Sequence, residues 1–148
     1  MQRFKRILTW ALLVLAAAAV VMTFQPRETV IIPDGISLLF WHAEKRCNNC
    51  RNIEKLVEQT LQDRKDQGCE EIRLIRLEYD VLAHQPLARQ FRVGSITIIL
   101  TEREHGQNIR LRDLTEEIRK TLSNEDAFKE MLRKELDSFC KKEHTENR

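Results

Sequence analysis

The sequence predicts an α/β fold, three layers built around a mixed four-stranded sheet and preceded by one apolar N-terminal helix. Three observations lead there. Short β-rich runs alternate with helical periodicity after residue 35. A turn signal at residues 105–107 joins two of the runs as a hairpin. The first 24 residues differ in composition from everything that follows.

The chain has 148 residues, enough for one domain with an appendage. Hydrophobic residues make up 42% and charged residues 32%, a globular mixture too apolar for a disordered chain. The net charge is +2, which gives no electrostatic basis for a nucleic-acid partner, and 6% aromatics argue against base-stacking platforms.

Arg3, Lys5 and Arg6 precede Ile7–Phe24, in which only Thr9 and Thr23 are polar. That stretch is near the lower limit for a helix crossing a hydrocarbon core of roughly 30 Å. A cleaved signal peptide is the competing reading, with Ala17 and Ala19 as small residues at a cleavage site. The length of the apolar run favours an uncleaved anchor over residues 1–25. Basic residues on one flank hold that end in the cytoplasm, which places the rest outside, on the periplasmic or exterior face of an inner membrane. Residues 26–35, with Pro26, Pro33 and Gly35, read as a linker, and 36–148 as the folded domain.

Ile36–His42 is nearly continuously apolar, as in a central strand buried on both faces. Cys47–Gln67 carries Ile53, Leu56, Val57 and Leu61 on one helical face, with Gly68 as a C-cap. Glu71–Tyr79 reads as a second strand. Val81–Phe91 reads as a short helix that Pro86 can interrupt. Ser95–Thr101 has high strand propensity, and His105-Gly106-Gln107 turns the chain into a return strand over Asn108–Leu111. Asp113–Lys142 is helical in two pieces, capped by Asp113 and by Ser123 or Asn124. The alternation predicts three parallel strands, with the hairpin adding an antiparallel edge.

The chemistry concentrates in Cys47-Asn48-Asn49-Cys50, at the junction of the first strand and first helix. Cys47 stands where unpaired N–H groups and the helix dipole favour an anion, with Lys45, Arg46 and Arg51 nearby. All of these favour the thiolate. Cys50, one helical turn on, can close a disulfide with it. Cys47 is therefore the candidate nucleophile and Cys50 the resolving thiol, together a redox-active pair. A zinc site needs four ligands, and His42, Cys69, His84, His105 and Cys140 supply no second close pair. An inert structural disulfide, or two plain buried thiols, is the other alternative. No metal or cofactor is expected. Cys69 and Cys140 can pair with each other or remain separate thiols. His42 can tune the thiolate or simply end its strand in contact with solvent, and Glu54 and Glu78 can relay protons or simply be solvated.

Phe40-Trp41 before the motif, Cys47 to Cys50 opening a helix, and Val93–Leu100 together resemble the thioredoxin superfamily over roughly residues 36–122. The Arg46-Cys47-x-x-Cys50 segment after the strand end also resembles a small family of anchored bacterial proteins, the ArsF-type nitrophenyl compound nitroreductase subunits. The resemblance implies a membrane-anchored thiol–disulfide oxidoreductase acting on a protein dithiol or disulfide partner, such as a membrane redox complex. It also implies supporting roles for Arg46, Thr97 and Trp41. The pattern departs from thioredoxin in several places. Arg46 stands where that family has Trp, and Asn48-Asn49 where it has Gly-Pro. Leu38 and Leu39 fill the region of its buried Asp. Thr97 occupies the position of its cis-proline, so the Ile96–Thr97 bond is expected to be trans. The alternative function is a non-enzymatic accessory or metal-binding subunit of a membrane redox complex.

Overall fold

The structure is a computed structural model, and it describes residue 15 and residues 30–65 and 72–140. The expected span Ile7–Phe24, apart from Leu15, lies outside the described residues, as do Gly68 and Cys69. Among the described residues no helix is long and apolar enough to cross a membrane.

The apolar run forms β1 (Gly35–His42), whose residues Ser37 to His42 are all buried. Such a strand needs a neighbour on each edge and a layer on each face. Its edges are taken by β2 (Arg73–Glu78), parallel, and β3 (Thr97–Glu104), antiparallel. A fourth strand, β4 (Gln107–Asp113), pairs antiparallel with β3 and completes the order β2-β1-β3-β4.

The direction of β3 corrects the expectation of three parallel strands. Glu78 at the end of β2 and Thr97 at the start of β3 lie beside His42 and Trp41 respectively, so the connection leaves and re-enters at one end of the sheet. Its only helix is α2 (Gln85–Gln90), six residues long. At 1.5 Å per residue that helix reaches about 9 Å, too short to carry the chain back along a strand. Pro86 stands in the first turn of α2, where a missing N–H costs nothing, so it starts the helix instead of interrupting it.

Alternation along β1 separates two cores. Leu38 and Phe40 face Ile98 and Leu100 of β3 and three further helices, α1 (Asn48–Lys65), α3 (Thr115–Thr121) and α4 (Glu125–Cys140). Leu39 and Trp41 face the other way, into a cluster with Leu77, Ile99, Ala88 of α2 and Ile32. Ile32 falls within the expected linker, yet it is buried against the sheet. The helix starts follow local chemistry. The Asp113 carboxylate accepts from the Thr115 N–H at 2.9 Å, and the Asn124 side chain from the Ala127 N–H at 3.0 Å. His105 and Gly106 both take positive φ (51° and 77°), the geometry of a tight hairpin turn. The exposed edge strand β4 is tied to α4 by Arg110, whose guanidinium lies 4.2 Å over the Phe139 ring and donates to the Ser138 carbonyl at 2.8 Å.

Candidate active site

β1 releases the chain at its C-terminal end, and the loop Ala43–Arg46 carries it to the N-terminus of α1. The Tyr79 N–H donates to the His42 carbonyl at 3.0 Å, and the Glu44 N–H to Asp80 Oδ1 at 2.8 Å. These bonds tie the segment before Cys47 to the end of β2.

The Arg51 N–H donates to the Cys47 carbonyl at 3.2 Å, which makes Cys47 the cap of an 18-residue helix. The Cys50 N–H donates to Cys47 Sγ at 3.3 Å, so the sulfur itself occupies the capping-acceptor position. The two sulfurs are 2.8 Å apart, and both thiols are free. Cys47 is exposed, while Cys50 is 7% exposed. The hydrogen bond from the Cys50 thiol, followed by the backbone N–H of Cys50, lowers the Cys47 pKa from its ordinary value. Burial, followed by donation of its proton to Cys47, raises that of Cys50. One thiol is thus set to ionise and meet solvent, and the other to stay protonated behind it.

Beneath the loop lies a polar cluster. His42 is 1% exposed. Its Nδ1 lies 2.8 Å from the Ala43 carbonyl, and its Nε2 lies 3.2 Å from Arg46 Nη2. A carbonyl accepts and a guanidinium donates, so Nδ1 carries the hydrogen and Nε2 is the acceptor. Arg46 Nη1 donates to Glu54 Oε2 at 2.6 Å, and Arg76 Nε donates to Glu54 Oε1 at 2.6 Å. Burial raises the Glu54 carboxyl, but the Arg76 hydrogen bond and the charges of Arg46 and Arg76 outweigh it and hold the group below its usual range. Arg76 also pairs with Glu58. Glu78 Oε1 lies 3.9 Å from His42 Nε2, and its other oxygen lies 3.0 Å from His84 Nδ1.

The remaining expected residues divide. Trp41 is fully buried and packs in the second core, its ring centroid 6.5 Å from that of Phe91. Thr97 opens β3 opposite Trp41, at the sheet end from which the cysteine loop leaves, and its hydroxyl bonds to that of Thr115. There is no cis peptide bond among the described residues. Cys140 is disulfide-bonded; Cys69, pairing with which is one of the two outcomes the sequence leaves open for it, is outside the described residues. Among the described residues no three His, Cys, Asp or Glu side chains converge on a point that could hold a metal ion.

Tyr79 was not expected at the site. Burial, followed by the charges of Asp80, Cys50 and Cys47, raises its pKa, so its hydroxyl lies within electrostatic reach of the sulfurs. Its position just past the end of a strand parallel to β1 was the available signal, because sites in α/β sheets gather at the carboxyl ends of such strands.

No protein-family model matches the chain, and no curated protein does. Among solved structures it is similar to a malarial protein, with 22% identity, a TM-score of 0.39 and coverage of 54% of this chain and 81% of that one. It is similar to the reduced thioredoxin pre-protein of Schistosoma mansoni, with 12% identity, a TM-score of 0.43 and coverage of 72% and 80%. It is also similar to oxidised mitochondrial thioredoxin 3 of Saccharomyces cerevisiae, with 16% identity, a TM-score of 0.41 and coverage of 64% and 82%.

Proposed function

We propose that the chain is a thiol–disulfide oxidoreductase of thioredoxin-like type, tethered by its N-terminal segment to the outer face of a membrane. The observation that carries this reading is the pair itself. An exposed Cys47 sulfur sits at a helix cap, 2.8 Å from a buried Cys50 sulfur. The Cys47 thiolate attacks one sulfur of a partner's disulfide, forming a mixed disulfide and releasing the partner's other sulfur as a thiolate. Cys50 then loses its proton to that thiolate or to solvent and attacks Cys47 Sγ. The Cys47–Cys50 disulfide forms, the second partner sulfur leaves, and the partner gains two electrons. The reverse sequence oxidises a partner dithiol.

The anchored, extracytoplasmic location rests on Arg3, Lys5 and Arg6 ahead of Ile7–Phe24, and a disulfide at Cys140 fits an oxidising compartment. The narrower likeness to ArsF-type subunits rests on the Arg46-Cys47-x-x-Cys50 segment after Phe40-Trp41-His42. The test is trapping in cells. Cys50→Ser should accumulate covalent complexes that a reductant releases, and Cys47→Ser should form none. Complexes that form only through Cys50 would reverse the roles. A Cys50→Ser chain that traps nothing under oxidising conditions would favour the accessory-subunit reading.

A further inference from the structure

Arg46 immediately precedes the thiol that must ionise, yet both terminal nitrogens of its guanidinium point elsewhere, one to Glu54 at 2.6 Å and one to His42 at 3.2 Å. Glu54 stands one helical turn beyond Cys50, with its side chain 12% exposed. It holds Arg46 with one oxygen and Arg76 of β2 with the other. The cluster is therefore one carboxylate between two guanidiniums, backed by His42 from β1 and by Glu58 through Arg76. On the sulfur side stand Cys50 and Tyr79, while Asp80 accepts from the Glu44 N–H of the loop at 2.8 Å.

We propose that Glu54 is a positioning residue for the exchange reaction: it holds the Arg46 guanidinium inward against His42 and withholds its charge from the Cys47 thiolate. This inference rests on the exchange reading above and adds what sets the reactivity of its nucleophile. Half-buried charges interact more strongly than solvated ones, so the carboxylate fixes where the arginine sits. Without it, Arg76 keeps Glu58, while Arg46 loses its carboxylate partner and is left with two candidate anions, the thiolate one residue away and Glu78 beyond His42. The Cys47 thiol then ionises at lower pH, and the Cys47–Cys50 disulfide becomes easier to reduce, because the thiolate form gains stability.

The test is the pH profile of Cys47 alkylation by iodoacetamide in the full-length chain, read on the Cys47 peptide by mass spectrometry. Glu54→Gln should move the half-point down by roughly half a unit to one unit. Glu54→Asp should keep most of the original profile. Adding Arg46→Gln to Glu54→Gln should remove the shift. An unchanged or raised half-point in a folded Glu54→Gln chain overturns the proposal. Arg46→Gln alone decides the matter if Glu54→Gln does not fold. A rise of only a few tenths of a unit supports the proposal, and a rise of roughly a unit shows that Arg46 already acts on the thiolate and overturns it. Alkylation needs no partner, so a chain that titrates as described but forms no mixed disulfide refutes the exchange reading and leaves only the control of Cys47 ionisation by Glu54 through Arg46.

Discussion

At the scale of single residues, the difference between Cys47 and Cys50 follows from position on one helical turn. The first turn of α1 offers N–H groups without intrahelical acceptors, and a sulfur at the cap uses one of them; three residues later the chain is inside the helix and against the core. The sign follows directly. A lowered pKa populates the Cys47 thiolate at a pH where an ordinary thiol is protonated, and a raised one delays Cys50. In the reduced chain, alkylation of Cys47 should therefore reach half its maximal rate below the ordinary thiol value of about 8.5, and alkylation of Cys50 above it. Peptide-resolved alkylation rates check this, and coincident profiles would contradict it. The cysteine spacing and its placement after an apolar run were legible in the sequence, because both are local. The partners of Arg46 were not. Glu54 joins it to Arg76, 22 residues further along the chain, and only the parallel pairing of β1 with β2 brings those groups together. Read locally, Arg46 serves the thiolate; in the fold its hydrogen bonds go to Glu54 and His42.

At the scale of elements, the helix faces and strand runs were readable because periods of 3.6 and 2 residues sort side chains without knowledge of neighbours. Ile53, Leu56 and Val57 are buried together in the first core, as their spacing required. Strand direction was not readable, since a pattern of burial is the same run forwards or backwards. Only the brevity of α2 decides that β3 returns antiparallel. The caps give a stability test. Replacing Asn124 by Ala removes the acceptor for the Ala127 N–H and should cost about 1 kcal/mol in denaturant unfolding. Leu38→Ala, in the fully buried first core, should cost about 2–5 kcal/mol. Glu54 adds a pH dependence. Its folded pKa is depressed, so its contribution is present above the unfolded glutamate value of about 4.3 and is lost as pH falls through the folded value. Unfolding midpoints should decline on acidification below about pH 4.5, and Glu54→Gln should flatten that decline.

At the scale of the whole molecule, the cysteine loop and the described start of the chain meet β1 at opposite ends of that strand. The cysteine loop leaves β1 at its C-terminal end, whereas Val30–Ile32 lead into Gly35 at the other. Protease added to spheroplasts should digest the domain and leave the anchor in the membrane; full protection would reverse the orientation, and a soluble mature species would indicate a cleaved signal. Whether Cys47 and Cys50 act as one two-electron couple is decided by titration of the full-length chain in glutathione redox buffers. Both thiols should disappear together in a single transition with the two-electron slope, yielding an intramolecular Cys47–Cys50 disulfide. Independent loss of the two thiols, or stable glutathione adducts on Cys47 with Cys50 still present, would contradict it.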